Sequence, residues 1–168
     1  IGVIEKLLSS KILDRFIIKA VIVCEELINT DYAENILNEL MIIASDVYSV
    51  SIKTYELIVE KKNNAGILAV VDFNEYNLSE FEKQNFKNIV VIDGLESPGN
   101  LGTIFRSADA CGIDAIMCVD LKTMVYGNKC IASSRGMIFE IPSVSLSYDE
   151  AKEFFNNNDY SLYLSEPQ

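Results

Sequence analysis

The chain has 168 residues, 49% of them hydrophobic, with 14 basic and 25 acidic side chains and a net charge of −11. That length suffices for one ordinary domain or two small ones, and no apolar run reaches the ~18 residues of a membrane span. The acidity argues against a protein held to nucleic acid by bulk charge, because phosphate binding needs clustered Lys and Arg.

Gly2 to Ser10 places Val3, Ile4, Leu7 and Leu8 on one stripe, which predicts an amphipathic helix. Glu5 and Lys6 within it, and the lack of a small-residue cleavage site, argue against a signal peptide. The chain begins without Met, so upstream sequence is expected. Lys19 to Cys24 (KAVIVC) reads as a buried strand. Asp31 opens a second helix, with Thr30 or Asp31 as N-cap and Ile36, Leu37, Leu40, Met41 and Ile43 as its apolar stripe. Asp46 to Val50 alternates as a strand, Ser51 caps a short helix through Ile58, and Gly66 to Val71 (GILAVV) is another buried strand. Residues 1–72 are therefore expected to form a small sheet flanked by helices. Residues 73–87 (FNEYNLSEFEKQNFK) break the apolar rhythm and read as a linker, with a short helix near Leu78 to Lys83.

Asn88 to Ile92 (NIVVI) starts a second unit, 88–168. A Gly/Pro loop, a helix from about Asn100 to Cys111 and a strand from Asp114 to Val119 follow, the building block of a parallel sheet. Next come a helical stretch from Gly127 to Ser134, a short strand ending at Pro142, a helix from Tyr148 to Asn156, and a strand from Ser161 to Leu164. The fold class is α/β.

The chain has no histidine, which removes Ser-His-Asp and Cys-His mechanisms and leaves no zinc site of the usual kind. Cys24, Cys111, Cys118 and Cys130 form no C-x-x-C pair and read as buried thiols of a cytoplasmic protein.

The informative stretch is Asp93 to Ala115, DGLESPGNLGTIFRSADACGIDA. It predicts a strand terminus, a tight loop at Pro98 and Gly99, and a helix with Gly102 in its first turn. In an open α/β sheet the functional crevice lies beyond such a strand end. Gly99 and Gly102 permit unusual backbone angles or close approach, and Gly112 suits the C′ position that ends the helix. Leu101, Ile104, Phe105 and Ala108 supply the buried stripe. Arg106 either serves chemistry or pairs with Asp109 at i+3 on a solvated face.

This stretch closely resembles the first signature of SpoU-type (TrmH-like) RNA ribose 2′-O-methyltransferases of the SPOUT superfamily, D-G-x-x-D-P-G-N-x-G-x-x-x-R-[TS]-A-x-A-x-G. Asp93, Gly94, Pro98, Gly99, Asn100, Gly102, Arg106, Ser107, Ala108, Ala110 and Gly112 fall in register, while Ser97 stands where the family usually has Asp. SSRGMIFEIP, from Ser133 to Pro142, is similar to the family's A-S-x-G-x-x-F-x-x-P segment, with Ser134 in register and Ser133 replacing Ala. That segment reads equally as a helix end with Gly136 at C′. Asn64 to Val71 (NAGILAVV) resembles the strand that closes the family's N-terminal module, an α/β unit related to ribosomal RNA-binding proteins.

The resemblance implies methyl transfer from S-adenosylmethionine to a ribose 2′-hydroxyl of ribosomal RNA, or less readily transfer RNA, by a homodimer with a C-terminal trefoil knot. It implies Asn100 and Arg106 as catalytic residues and Ser134 as an RNA contact; so acidic a chain would then require RNA contacts from a few cations near the second motif, Arg135, Lys129 and Lys122. The family's later motifs, which supply most of the cofactor pocket and the knot, are absent from the sequence. Cofactor-binding residues are therefore expected beyond Gln168, and this stretch alone is expected to be inactive. Two other readings stay open: a non-catalytic RNA-binding protein with a degenerate catalytic half, and a generic nucleotide-binding α/β domain.

Overall fold

The computed structural model describes residues 1–59 and 65–165. Asn64 of the N-terminal match lies outside the described residues. Two three-stranded sheets are present, in the orders β2-β1-β3 and β4-β5-β6.

The first sheet follows helix α1 (Gly2–Leu8). Its central strand β1 runs over Phe16–Val23, with β2 (Asp46–Ser49) parallel on one side and β3 (Ile67–Phe73) antiparallel on the other. Strand β1 begins three residues before the expected Lys19. Phe16 and Ile18 are buried, and a register shift between Ile18 and Ala20 lets Val21 and Val23 stay on the buried side despite the odd spacing. Helix α2 (Asp31–Ile43) is capped by Thr30, whose hydroxyl accepts from the Ala33 amide, and it buries Ala33, Ile36 and Leu40. Helix α3 (Ile52–Ile58) is capped by Ser51 and buries Tyr55.

Segment 73–87 is more engaged than a linker need be. Asn77 and Glu80 form a capping box for α4 (Leu78–Glu82), Phe81 is buried, and Tyr76 makes a parallel bridge to Val144. Arg15, at the start of β1, ties this segment down. Its Nη1 donates to the carbonyls of Asn74 (3.2 Å) and Glu75 (3.3 Å) and pairs with Glu80 at 3.3 Å. The guanidinium also lies over the Tyr76 ring, 3.4 Å from its centroid.

The second sheet is wholly parallel: β4 (Ile89–Asp93), β5 (Ala115–Val119) and β6 (Ser143–Leu146). All five β5 residues are buried. Strand side chains alternate between faces, so Ile116 and Cys118 join the core with Leu101, Phe105 and Ala108 of α5 (Pro98–Ala110). Ala115, Met117 and Val119 meet Phe81 of α4 and Ala151 and Phe154 of α7 (Tyr148–Asn157). Helices thus cover both faces. The first core also takes in Leu7, Phe16, Ile18 and Val21, so both sheets share it. Phe16 meets Phe139 edge-on at 5.2 Å, and Phe73 lies 4.1 Å from Tyr126 between ring centroids.

Two strand expectations are corrected. Residues before Pro142 form a 3-10 turn (Met137–Phe139), and strand β6 begins after the proline. Pro142 donates no ladder bond, but its carbonyl accepts from the Ile116 amide at 3.0 Å. Ser161–Leu164 forms no strand: it has no partner ladder, and Leu162, Tyr163 and Leu164 are 66%, 94% and 85% exposed. A third correction concerns Cys111, which is exposed because it ends α5 beyond the last buried residue, Ala108; Cys24, Cys118 and Cys130 are buried.

Candidate functional site

The carboxyl ends of β4, β5 and β6 lie together, and the chain between β4 and α5 is fixed there by backbone bonds. Gly94 takes a left-handed φ of 61°, which suits glycine because no Cβ opposes it. Its amide donates to the Val119 carbonyl (2.9 Å), while the Lys122 amide donates to the Leu95 carbonyl (3.1 Å). On the surface Lys122 Nζ pairs with Glu96 Oε1 at 2.6 Å. This candidate RNA contact is already partly neutralised.

The expected tight loop at Pro98 and Gly99 is instead the first turn of α5. Ser97 is the N-cap, its hydroxyl accepting from the Asn100 amide at 3.3 Å, and Pro98 is the first helical residue. Proline is suited there because its missing N–H would have no helical partner. The Ser-for-Asp departure keeps this role, since either oxygen can cap. Neither Gly99 nor Gly102 has a positive φ, so the expectation of unusual angles is corrected for both. Gly112 does take one, 68°, at the C′ position.

Gly102 marks the closest approach of α5 to α6 (Asn128–Ser134). A Cβ there would lie 2.0 Å from Ser133 Oγ and 2.6 Å from both the Cys130 carbonyl oxygen and the Ser134 amide nitrogen. Ser133 Oγ donates across the contact to the Pro98 carbonyl at 3.2 Å. The two sequence motifs therefore interlock, and Ser133 is a positioning residue that sequence reasoning noted only as a departure from Ala.

The other candidates separate. Asn100, Arg106 and Arg135 are exposed, whereas Ser134 is fully buried and its hydroxyl donates to the Ile131 carbonyl at 2.9 Å. Ser134 is thus turned inward, away from any RNA surface. The ion pairs among the described residues do not include Arg106, so its expected alternative partner, Asp109, does not hold it. Asn100 and Arg106 are six positions apart, ~9 Å along the axis and about 120° around it, and helical side chains lean toward the N-terminus, so the long Arg106 side chain leans toward the end of α5 that lies at the strand ends.

Beside these ends lies a cleft of about 420 Å³ lined by Glu75, Cys118, Asp120, Thr123, Tyr126 and Leu146, among others. Burial pushes the Cys118 thiol up to about 12, with Cys130 and Glu75 adding to the shift. Burial likewise takes Tyr126 up to about 12, against the hydrogen bond to Ser143 that lowers it. Burial thus favours the neutral form of both groups near neutrality. No group of His, Cys, Asp or Glu able to hold a metal occurs among the described residues.

The profile of the SpoU rRNA Methylase family matches residues 87–168. The 23S rRNA (guanosine(2553)-2′-O)-methyltransferase RlmP of Bacillus subtilis is 33% identical over 97 residues, covering 58% of this chain and 37% of that enzyme. Among solved structures, the AdoMet-bound rRNA methyltransferase of Sinorhizobium meliloti superposes with a TM-score of 0.73 at 22% identity, covering 92% of this chain and 55% of that one. The SpoU methyltransferase AviRb of Streptomyces viridochromogenes, in complex with AdoMet, gives 0.75 at 21% identity, with 93% and 57% covered. These two likenesses establish the fold. The chain spans 35% to 40% of the length of the first curated relatives it matches.

Proposed function

We propose that this chain, which belongs to the SpoU rRNA methylase family through residues 87–168, is part of an enzyme that methylates ribose 2′-hydroxyls of RNA. Its methyl donor is S-adenosylmethionine, its substrate ribosomal rather than transfer RNA, and its working form a cytoplasmic homodimer. The family's description and the named activity of RlmP support the RNA class. The AdoMet bound in the solved relatives supports the donor.

One observation carries the reading: Asn100 and Arg106 are exposed on a helix whose other side is clamped by Leu101, Gly102, Phe105 and Ala108. A ribose hydroxyl is a poor nucleophile and must be oriented or polarised. Arginine keeps its proton at any working pH, so Arg106 acts as a cation that binds and polarises the hydroxyl beside a substrate phosphate. Asn100, whose amide is fixed by the Ser97 cap, holds the ribose by hydrogen bonding. When bound, the donor supplies an electrophilic methyl group.

The cleft at the strand ends has the volume of a small-ligand site, but Asp120, Met124 and Ser145 on its walls are exposed. The described residues alone do not enclose a molecule of that size.

The test is transfer of labelled methyl groups from S-adenosylmethionine to deproteinised bulk ribosomal RNA by the whole protein. Label that survives as alkali-resistant dinucleotides supports ribose methylation; label confined to bases overturns it. Arg106→Ala should slow transfer by roughly 10²- to 10³-fold, the scale for losing one preorganised donor, and an unchanged rate would remove Arg106 from the mechanism.

A further inference from the structure

Packing between distant segments brings two cations of this acidic chain to one junction. Lys6 lies in the last turn of α1, and Arg135 is the C-cap of α6. Helix α1 rests on the turn that follows Arg135: a Cβ on Gly136 would lie 2.7 Å from Lys6 Cβ and 3.5 Å from Val3 Cα. The same junction is sealed by Ser10, whose buried hydroxyl donates to the Phe139 carbonyl. The apolar cleft beside it is lined by Val3, Ile4 and Leu7 from α1 and by Ile131 and Phe139 from the other side. The base of Lys6 is therefore seated on the turn that follows Arg135, although 128 residues separate the two in sequence.

Among the described residues neither cation is matched by a carboxylate. The ion pairs among the described residues leave out both, and Glu5, next to Lys6, accepts instead from the Tyr32 hydroxyl at 2.6 Å. A helix C-terminus attracts one cation, and helices commonly end on a left-handed residue, so the end of α6 accounts for the backbone of Arg135. Its φ is 53°, in the left-handed region that an ordinary L-residue occupies at a cost and that Gly or Asn fills more easily. What the helix ends leave unexplained is that two cations outside every ion pair of the described residues meet at one junction of a chain of net charge −11, and this points to an anionic partner.

We infer that Lys6 and Arg135 form a composite RNA-backbone contact, in which one cation from the N-terminal module and one from the methylase-like unit grip the phosphates of the same strand. This rests on the methyltransferase reading above and adds to it a substrate-positioning surface that exists only when α1 is docked. It also accounts for how so acidic a chain holds RNA: attraction is confined to a small spot, and the rest of the surface repels misplaced strands.

The experiment is binding of the chain to deproteinised bulk ribosomal RNA across a salt series, with Lys6→Ala, Arg135→Gly and, as a control on α7, Lys152→Ala. Arg135→Gly relieves the left-handed residue, so its folded stability should equal or exceed that of the parent, which separates loss of contact from loss of fold. Lys6→Ala and Arg135→Gly should each weaken binding about five- to tenfold and lower the slope of log affinity against log salt by about 1. Lys152→Ala should change neither. Parent-like affinity and slope in both patch variants, or an equal loss in Lys152→Ala, overturns the composite contact. If the patch variants bind normally while the whole protein still methylates RNA, the patch alone has failed. If the parent binds no RNA and the whole protein transfers no methyl group, the function itself has failed.

Discussion

The two sheets have the same number of strands and different exposure. In the second, β5 is buried on both faces, with Ile116 and Cys118 against α5 and Met117 and Val119 against α4 and α7. In the first, β1 buries Phe16, Ile18, Val21 and Val23 but exposes Ile17 and Lys19, while every residue of β2 is exposed. A parallel sheet with helices on both sides must be apolar throughout, whereas a mixed sheet needs only one apolar face. The consequence is functional as well as structural. The rigid sheet carries the ends at which Asp93, Gly94 and α5 are positioned, and the half-covered sheet is free to vary on its open side.

The largest expected effect contrasts the two directly. Met117→Ala, at 0% exposure in β5, should cost about 2 to 5 kcal/mol, because it removes buried atoms and leaves a cavity that the crossing helices cannot fill. Val47→Ala, at 42% exposure in β2, should stay within about 0.5 kcal/mol. Urea denaturation of both variants checks this. Similar losses would mean that the first sheet is covered on its outer face in solution.

A smaller effect tests how the second unit positions its site helix. Gly102→Ala drives a methyl group into Ser133 Oγ and the α6 backbone, and should cost about 1 to 3 kcal/mol as the helices separate. At Gly99 the nearest atom to such a methyl is Ser97 Oγ at 3.8 Å, so Gly99→Ala should leave stability unchanged or slightly raised. If the two variants unfold at the same urea concentration, α5 and α6 are not in contact at Gly102.

The sequence made some of this legible and hid the rest for identifiable reasons. Strand β5 and the burial of Leu101, Phe105 and Ala108 follow from local periodicity, which is visible in one short window. The start of α5 was misplaced because Pro98 and Gly99 were read as turn formers; the signal missed was Ser97 before Pro98, a cap followed by the one helical position that favours proline. Strand β1 was begun late because a register shift at Lys19 disturbs the alternation. The grip of Ser133 on Pro98 and the seat of Lys6 over Gly136 join segments 35 and 130 residues apart. No local pattern encodes them. The motif singles out Asn100 and Arg106 as candidates, and packing determines which side chains lie beside them.

The smallest effect concerns the junction between the sheets, which polar contacts help to hold. The Asn77 amide and the Arg15 guanidinium both hydrogen-bond to the Glu80 carboxylate and hold it below the ordinary carboxylate range, the amide bond contributing most. A carboxylate with a lowered folded-state pKa adds stability above its unfolded-state pKa and loses it as pH falls through the folded value. Glu80→Gln should therefore unfold more readily than the parent at neutral pH, and the difference should shrink as pH drops below about 4.5. The side chain is substantially exposed and the pair is screened by salt, so the gap should narrow when ionic strength is raised. Thermal unfolding at neutral and acid pH, at low and high salt, resolves this. A gap that persists at acid pH would assign the role of Glu80 to the shape of its cap. The junction would then owe less to charge than to the burial of Phe16 and Phe139.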